Sequence, residues 1–450
     1  MTQTRPRIGA GAGALELRAL VAAQKRGEPR GIWSVCSAHP TVLEATMAQA
    51  KADGSSLLVE STSNQVNPEG GYTGRTPADF VHFLEGLAVS VGFPSERLIL
   101  GGDHLGPFPW QSEPSERALA KAHELVRQCV LAGYEKIHLD ASMACAGDPG
   151  GAGGPLDEQI VAERTADLAA TAERASRNRG FGEAPVYVVG TEVPTPGGEQ
   201  EEQASLRPTR PEAARRFLNL ARAAFDARGL AEAWPRVIAL VVQPGVDFGD
   251  TVVHAYEPAR ARALREFASS IEGIVFEVHS TDYQTENALR RLVEDHFAIL
   301  KVGPALTFAF REALFALAHL EEQWPARKAP PSGLRNALEE AMRADPRHWR
   351  KYYRGDEAEL RFARAFSLSD RVRYYWPTPG VVAAVSRLVA NLRQREVPLA
   401  LLSQYLPWAL PSVLDGTVAN DPLALARLRV RQVAEVYARA CGTGGRQRLI

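Results

Sequence analysis

Short runs of β-branched and apolar residues recur along the chain. Each ends in small or polar residues, and most are followed by a longer stretch whose apolar positions repeat with helical spacing, the pattern of βα units. Eight such runs are predicted strands, at 31–37, 57–62, 98–104, 136–142, 186–192, 237–243, 274–280 and 298–304. Helices are predicted between them over 40–52, 76–91, 115–132, 156–177 and 211–228, several opening on Pro, Ser or Thr as helix starts do. Eight consecutive βα units predict an α/β fold, a (β/α)8 TIM barrel.

Beyond 305 the pattern changes to long helical stretches broken by Pro-rich segments at 328–332 and 377–380. The chain therefore divides into a disordered tail over 1–14, a barrel over 15–320 and a helical C-terminal extension over 321–450 packed on the barrel. The polar and aromatic stretch 367–377 either leans over the barrel mouth or forms a subunit contact, unless it packs its aromatic rings inward.

Charge and composition narrow the classes of partner. The chain has 52 Lys+Arg against 53 Asp+Glu, a formal charge of -1, and so lacks the basic footprint of a nucleic-acid binder. No run approaches the roughly 20 consecutive apolar residues of a membrane helix, and the N-terminal residues contain no secretory apolar region. Cys36, Cys129, Cys145 and Cys441 lie far apart without a CxxC pair, which argues against a zinc ribbon or disulfide framework and makes a reducing cytoplasm the simplest setting.

A parallel barrel gathers the C-terminal ends of its strands at one rim, where catalytic residues sit. That rim is predicted to hold Cys36 with His39, Glu60, Asp103, His104, Asp140, Glu192, Gln243, His279 and Lys301. In Gly101-Gly-Asp-His-Leu-Gly106, two small residues let the backbone turn tightly and present Asp103 beside His104. The Asp is a candidate for moving substrate protons and the His for holding a metal. Taken alone, such a pair reads first as a loop cap beside a hydrogen-bonding His. Glu192 and His279 close the fifth and seventh strands, and with His104 they make an N2O set for a divalent cation, zinc first. His138, two residues before Asp140, is read as a packing residue nearer the barrel bottom. The Pro- and Gly-rich loop from Glu192 to Glu199 and Glu202 is either a flap that swings an acid over the site or a solvated acidic loop. Backbone amides at 280–282 and near Gly303 are candidates to receive a phosphate. The Gly-rich segment 146–154 has no GK[ST] and matches no nucleotide-binding pattern.

Several longer motifs accumulate: SVCSAHP at 34–40, ESTSNQVN at 60–67, GGYTG at 70–74, GGDHLGP at 101–107, KIHLDASM at 136–143, GTEVP at 190–194, VQPG at 242–245, HSTDYQ at 279–284, KVGP at 301–304 and SQYL at 403–406. With these the chain, from about 15 to 441, resembles the non-catalytic subunit of class II D-tagatose-1,6-bisphosphate aldolase, a family of galactitol and N-acetylgalactosamine catabolism. The resemblance implies a zinc-dependent barrel with Asp103 as the proton-handling residue and His104 as the adjacent metal ligand. It further implies Glu192 as the fifth-strand ligand or its partner, His279 as the seventh-strand ligand, and Glu199 on the catalytic flap. Three positions depart from the class II pattern. The sixth strand ends Gln243-Pro-Gly-Val-Asp247 without a His, so Gln243 or Asp247 would stand in for the third nitrogen ligand. Gln200 follows Glu199 where the flap's working Glu would fall, and Lys301-Val-Gly303 replaces the Asn and Asp that hold the dihydroxyacetone phosphate half.

The expected function is therefore a component of the tagatose-1,6-bisphosphate aldolase system, working with a separate catalytic subunit on a sugar or sugar phosphate. The alternative is a stand-alone metal-dependent 4-epimerase of ketohexoses or their phosphates. A ligand-free stabilising subunit and a sugar-phosphate kinase rank below both. Asp103, Glu199 and Asp140 are the expected catalytic residues. Glu60, Asn64, Gln65, Ser280, Lys301 and Gly303 are the expected substrate contacts, and self-association is left open.

Overall fold

The computed structural model describes residues 11–149, 151, 156–190, 206–324 and 329–443. Eight parallel strands close a barrel: β1 (Ile32–Val35), β2 (Leu57–Thr62), β3 (Leu98–Leu105), β4 (Lys136–Leu139), β5 (Val186–Val189), β6 (Val237–Val241), β9 (Val275–Val278) and β10 (Phe297–Val302). Around the barrel they run in the order β1-β10-β9-β6-β5-β4-β3-β2. Each is buried along its whole length or all but its last residue, as strands walled by helices outside and side chains inside must be. A two-stranded antiparallel ribbon, β7 (Asp247–Phe248) with β8 (Val253–His254), stands after β6 and was not anticipated, since two residues per strand leave no readable alternation.

The intervening helices are α2 (Pro40–Asp53), α3 (Pro77–Val91), α4 (Ser115–Leu131), α5 (Glu158–Arg179), α6 (Pro211–Ala227), α7 (Arg262–Ser270), α8 (Glu286–Glu294) and α9 (Pro304–Gln323). Their start signals are real: Thr76 forms a capping box with Asp79 at the head of α3, and Pro opens α2, α6 and α9.

The expected tail over 1–14 needs correction at its end. Helix α1 (Ala12–Lys25) begins inside it and plugs the N-terminal end of the barrel. Ala14, Leu17 and Val21 pack among Ile32, Leu58, Ile99, Val188, Ile238 and Ile299 from the strand beginnings. The buried Glu135 carboxylate accepts the Gly13 amide at 2.9 Å, which anchors the helix start. Small residues here serve close packing rather than flexibility.

After α9 the chain forms α10 (Leu334–Ala344), α11 (Glu357–Phe366), α12 (Pro379–Leu392), α13 (Leu399–Tyr405), α14 (Leu410–Leu414) and α15 (Pro422–Ala440). Helix α15 returns to the barrel wall against α2, α8 and α9, and Tyr437 donates a 2.7 Å hydrogen bond to the Thr281 carbonyl. The segment 367–374 crosses the barrel mouth. Three ties hold it there: buried Arg311 of α9 bonds Asp370 at 2.8 Å, Tyr283 donates to the Leu368 carbonyl at 2.5 Å, and Ser367 donates to Asp250 at 2.7 Å. Tyr375 and Trp376 of the same stretch pack inward. No helix among the described residues is long and apolar enough to cross a membrane.

Two glycines test how tightly the mouth is built. A Cβ on Gly106 would lie 1.6 Å from the Asp140 carbonyl oxygen, a backbone atom that cannot step aside, whereas a Cβ on the exposed Gly86 of α3 would meet nothing within 4 Å. Gly106→Ala is expected to lower unfolding stability by about 3 kcal/mol or more, and Gly86→Ala to raise it by ~0.5–1 kcal/mol, both read by urea denaturation.

Candidate active site at the barrel mouth

The site begins with a local irregularity. The β3–β4 register shifts between Gly102 and Leu105, so Asp103 and His104 form a bulge, and His104 adopts a left-handed backbone at φ 51°. A Cβ at Gly101 would meet Glu60 at 2.5 Å, so the glycine leaves room for that carboxylate inside the barrel.

The bulge aims Asp103 and His104 into a buried group. The His104, His138 and His279 rings lie 4.9–5.3 Å apart, centre to centre. His104 Nδ1 is held by Asp140 at 2.8 Å, while its Nε2 lies 3.7 Å from Asp103. Asp140 in turn accepts the Ser142 amide and hydroxyl, which fixes it as a support for the His104 ring. His138 Nδ1 lies 3.0 Å from Asp103, and its buried Nε2 has no hydrogen-bond partner among the described residues. His279 Nε2 lies 3.0 Å from Glu277. Asp103, His138, Glu277 and His279 each place a ligand atom within 4.8 Å of all the others.

Beneath and beside these groups lies an ion network. Lys136, wholly buried, contacts Glu60 at 2.8 Å and Glu277 at 2.6 Å. Lys301 reaches Asp103, and Glu60 and Glu277 at 3.2 and 3.4 Å. Burial opposes ionisation of Asp103, yet the His104 and Lys301 charges and the His138 bond hold its carboxyl well below the usual range. The same balance, with Lys136 and Lys301 prevailing, keeps Glu277 ionised. Burial works against the His104 cation too, but Asp103 and Asp140 outweigh it and raise that pKa. For His279 burial and Lys301 act together and lower it to about 3, leaving a neutral imidazole. Neutral imidazole and ionised carboxylate are the forms that bind divalent metal.

An open pocket lies above, lined by Asp103, His104, His279 and Lys301 from the strand ends, Asn64, Gln65 and Tyr72 from the loop after β2, Ser280 and Asp282, and Arg373 and Tyr374 from the C-terminal extension. Asn64, Gln65 and Ser280 thus lie where substrate contacts were expected. Lys301 and Gly303 also line the pocket, but their polar groups, like those of Glu60, are engaged within the protein. Glu60 is sealed below the pocket by both lysines, and Lys301 is engaged by three carboxylates. The Gly303 amide, and that of Ala305 at the head of α9, are taken by Asp282 Oδ1 at 3.0 and 2.8 Å, so neither is free for a phosphate. Burial pushes the Asp282 carboxyl up to about 6.

The expected sixth-strand ligands also fall elsewhere. Gln243 turns back to accept the Gly245 and Val246 amides, and Asp247 accepts the Phe248 amide within the β7–β8 ribbon. The third imidazole comes instead from His138 on β4. Reading it as a bottom residue ignored barrel stagger: Gly102 pairs with Ile137, so His138 lies level with Asp103. Glu277, two residues before His279 on the same face of β9, was legible by strand period but not singled out. Glu192 and Glu199 lie outside the described residues.

The model of the D-tagatose-1,6-bisphosphate aldolase subunit GatZ/KbaZ-like family matches residues 17–442. The chain belongs to this GatZ/KbaZ-like family. A crystal structure of a probable tagatose 6 phosphate kinase from Sinorhizobium meliloti 1021 is 46% identical, with the match covering 92% of this chain and 100% of that one at a TM-score of 0.83. More distant are the YdjI aldolase from Escherichia coli K12, 11% identical over 84% of this chain and 95% of that one at 0.42, and the fructose-bisphosphate aldolase from Campylobacter jejuni, 14% identical over 85% and 93% at 0.43.

In this GatZ/KbaZ-like chain the ion network invites a direct test. Lys136→Met leaves Glu60 and Glu277 buried beside an apolar side chain and is expected to cost about 3–5 kcal/mol of stability. Adding Glu60→Gln is expected to recover part of that loss, a coupling measurable by a double-mutant cycle in urea.

Proposed function

We propose that the chain binds a ketose or ketose phosphate at the barrel mouth and takes part in aldol cleavage, as a component of a class II tagatose-1,6-bisphosphate aldolase system with a separate catalytic subunit. The setting is cytoplasmic carbohydrate catabolism, of galactitol or N-acetylgalactosamine. One observation carries this reading: three imidazoles and two carboxylates converge beneath an open pocket, and one buried imidazole nitrogen there has no partner. Structural economy alone does not account for such a group, because buried polar atoms cost stability unless they are used.

The donor set fits a divalent cation, zinc first, which His138, His279 and Glu277 would hold, with Asp103 and His104 Nε2 beside them. A cation bound there supplies Lewis-acid polarisation of the sugar carbonyl. The chain's own residues supply the rest. Asp103, kept ionised and facing the pocket, accepts the proton of the hydroxyl on the carbon whose bond to its neighbour breaks. Asp140 orients His104, and Lys301 fixes the Asp103 carboxylate. Cleavage leaves an aldehyde and an enediolate. Protonation of the enediolate carbon, which returns the proton taken up by Asp103, gives the ketone fragment, and release of aldehyde and ketone completes aldol cleavage.

A second reading, a 4-epimerase that re-adds the enediolate to the opposite face of the retained aldehyde, is favoured by one feature. Asp282 occupies the amides that would hold a phosphate late in the barrel, which disfavours a bisphosphate substrate. The kinase activity ascribed to the Sinorhizobium meliloti protein is not favoured here, since the Gly-rich segment 146–154 has no GK[ST].

The test is to purify the chain, assay its metal, and follow D-tagatose 1,6-bisphosphate and D-fructose 6-phosphate by NMR. Each sugar is taken with and without chelator, with and without the partner aldolase subunit, and with ATP. About one equivalent of divalent metal and a chelator-sensitive change in a sugar are expected. His138→Ala and His279→Ala should each lower metal affinity by at least roughly tenfold. Triose phosphates mean cleavage, and a tagatose product means epimerisation. Absence of bound metal with no sugar changed in any mixture overturns the reading in favour of a ligand-free stabilising subunit, and ATP-dependent phosphorylation overturns it in favour of a kinase.

A further inference from the structure

Among the described residues the pocket is lined by one lysine and one arginine, and they differ in one respect. Lys301 is neutralised by Asp103, Glu60 and Glu277. Arg373 has no carboxylate within ion-pair distance among the described residues. Its Nη1 donates to the Ser369 carbonyl and, at 3.0 Å, to the Asp370 carbonyl, and its Nη2 donates to the Tyr374 hydroxyl at 3.1 Å. These partners are neutral oxygens. They aim the guanidinium, the Asp370 and Asp282 carboxylates act on it only from beyond ion-pair distance, and the Arg311–Asp370 ion pair fixes the turn that carries it.

The neighbouring rings are also fixed. Tyr374 stacks on His348 at 4.5 Å with ring planes 10° apart and meets Tyr72 edge-on at 4.9 Å. Both tyrosines and Arg373 line the same pocket as Asp103 and His279. A partly buried guanidinium with only neutral partners, flanked by phenol hydroxyls at a pocket wall, recognises an anion by charge-assisted hydrogen bonds. The other place suited to an anion, the N-terminus of α9, already holds the Asp282 carboxylate, which also faces the pocket and repels negative charge there.

We propose that Arg373, with Tyr374 and Tyr72, forms the subsite for a single anionic group of the substrate, a phosphate monoester or a carboxylate. The preferred ligand class is thus a ketose with one anionic end rather than a bisphosphate. This rests on the reading that the pocket takes a ketose, and it assigns the charged part of the subsite to the C-terminal extension, with Tyr72 from the barrel loop after β2 beside it.

The experiment is calorimetric titration of the metal-loaded full chain with a ketohexose 6-phosphate, the matching ketohexuronate, the free ketohexose, the 1,6-bisphosphate, glycerol phosphate and inorganic phosphate. The wild type is expected to bind at least one singly anionic sugar roughly 10–100-fold more tightly than the free ketose, and the bisphosphate no more tightly than the monophosphate. Whichever of the phosphate and the uronate binds better identifies the anion. Arg373→Ala should abolish the preference, and Arg373→Lys and Tyr374→Phe should keep part of it. Those two variants carry the test if Arg373→Ala does not fold, as judged by circular dichroism and metal content. Wild-type indifference to the anionic group, a folded Arg373→Ala that keeps the full preference, or tighter binding of the bisphosphate overturns the subsite. If no sugar binds but glycerol phosphate or inorganic phosphate does so through Arg373, the anion site stands and the ketose reading falls.

Discussion

Three carboxylates and two ammonium groups share the interior of this barrel, and the site above it depends on their balance. Glu60, Asp103 and Glu277 outnumber Lys136 and Lys301 by one, and all five are at most 4% exposed. Taking such charges out of water is costly, and an ion network of this kind contributes little net stability compared with apolar packing of the same volume. What it achieves is fixed position and fixed ionisation. Lys301 holds Asp103 as a carboxylate, and Lys136 ties Glu60 on β2 to Glu277 on β9 across the barrel. The surplus negative charge beside three imidazoles is complementary to a cation bound at the mouth.

That network also explains the backbone around it. Gly101 has no side chain because Glu60 fills the space, and the bulge that follows turns Asp103 and His104 toward the barrel axis at the cost of a left-handed residue. Ser280, after His279, is left-handed as well, at φ 55°. Strain and buried charge thus coincide at the ends of β3 and β9, while the opposite end of the barrel is closed by apolar packing of α1. Charge and strain gather at one end of the barrel and apolar packing at the other.

Much of this was legible in the sequence, for reasons that differ by residue. The strands could be read because each is a short apolar run bounded by small or polar residues, and Asp103, His104 and His279 because they end such runs. His138 was misplaced because strand ends in a tilted barrel are not level in sequence count. Only the pairing of Gly102 with Ile137 reveals that His138 stands beside Asp103. Glu60 and Lys301 were recognised as unusual but assigned to substrate, because a sequence does not show that two charges neutralise each other. The Gly- and Ala-rich start of α1 resembled a tail, since small residues signal both flexibility and close packing.

The C-terminal extension was the least legible part, and its role follows from where its ties lie. Arg311, Tyr283 and Asp250 belong to the barrel and its loops, yet their partners are Asp370, Leu368 and Ser367. These bonds position one turn, Arg371–Tyr374, over the mouth. In the barrel, Lys301 is held by three carboxylates, and Asn64, Gln65, Tyr72 and Ser280 at the pocket are uncharged side chains. The proposed anion subsite lies on a segment added after the barrel, where the Arg373 guanidinium is hydrogen-bonded by carbonyl and phenol oxygens. On the proposed reading the reacting groups belong to the barrel and the anion-binding guanidinium to the extension, which also packs along the barrel wall through α15.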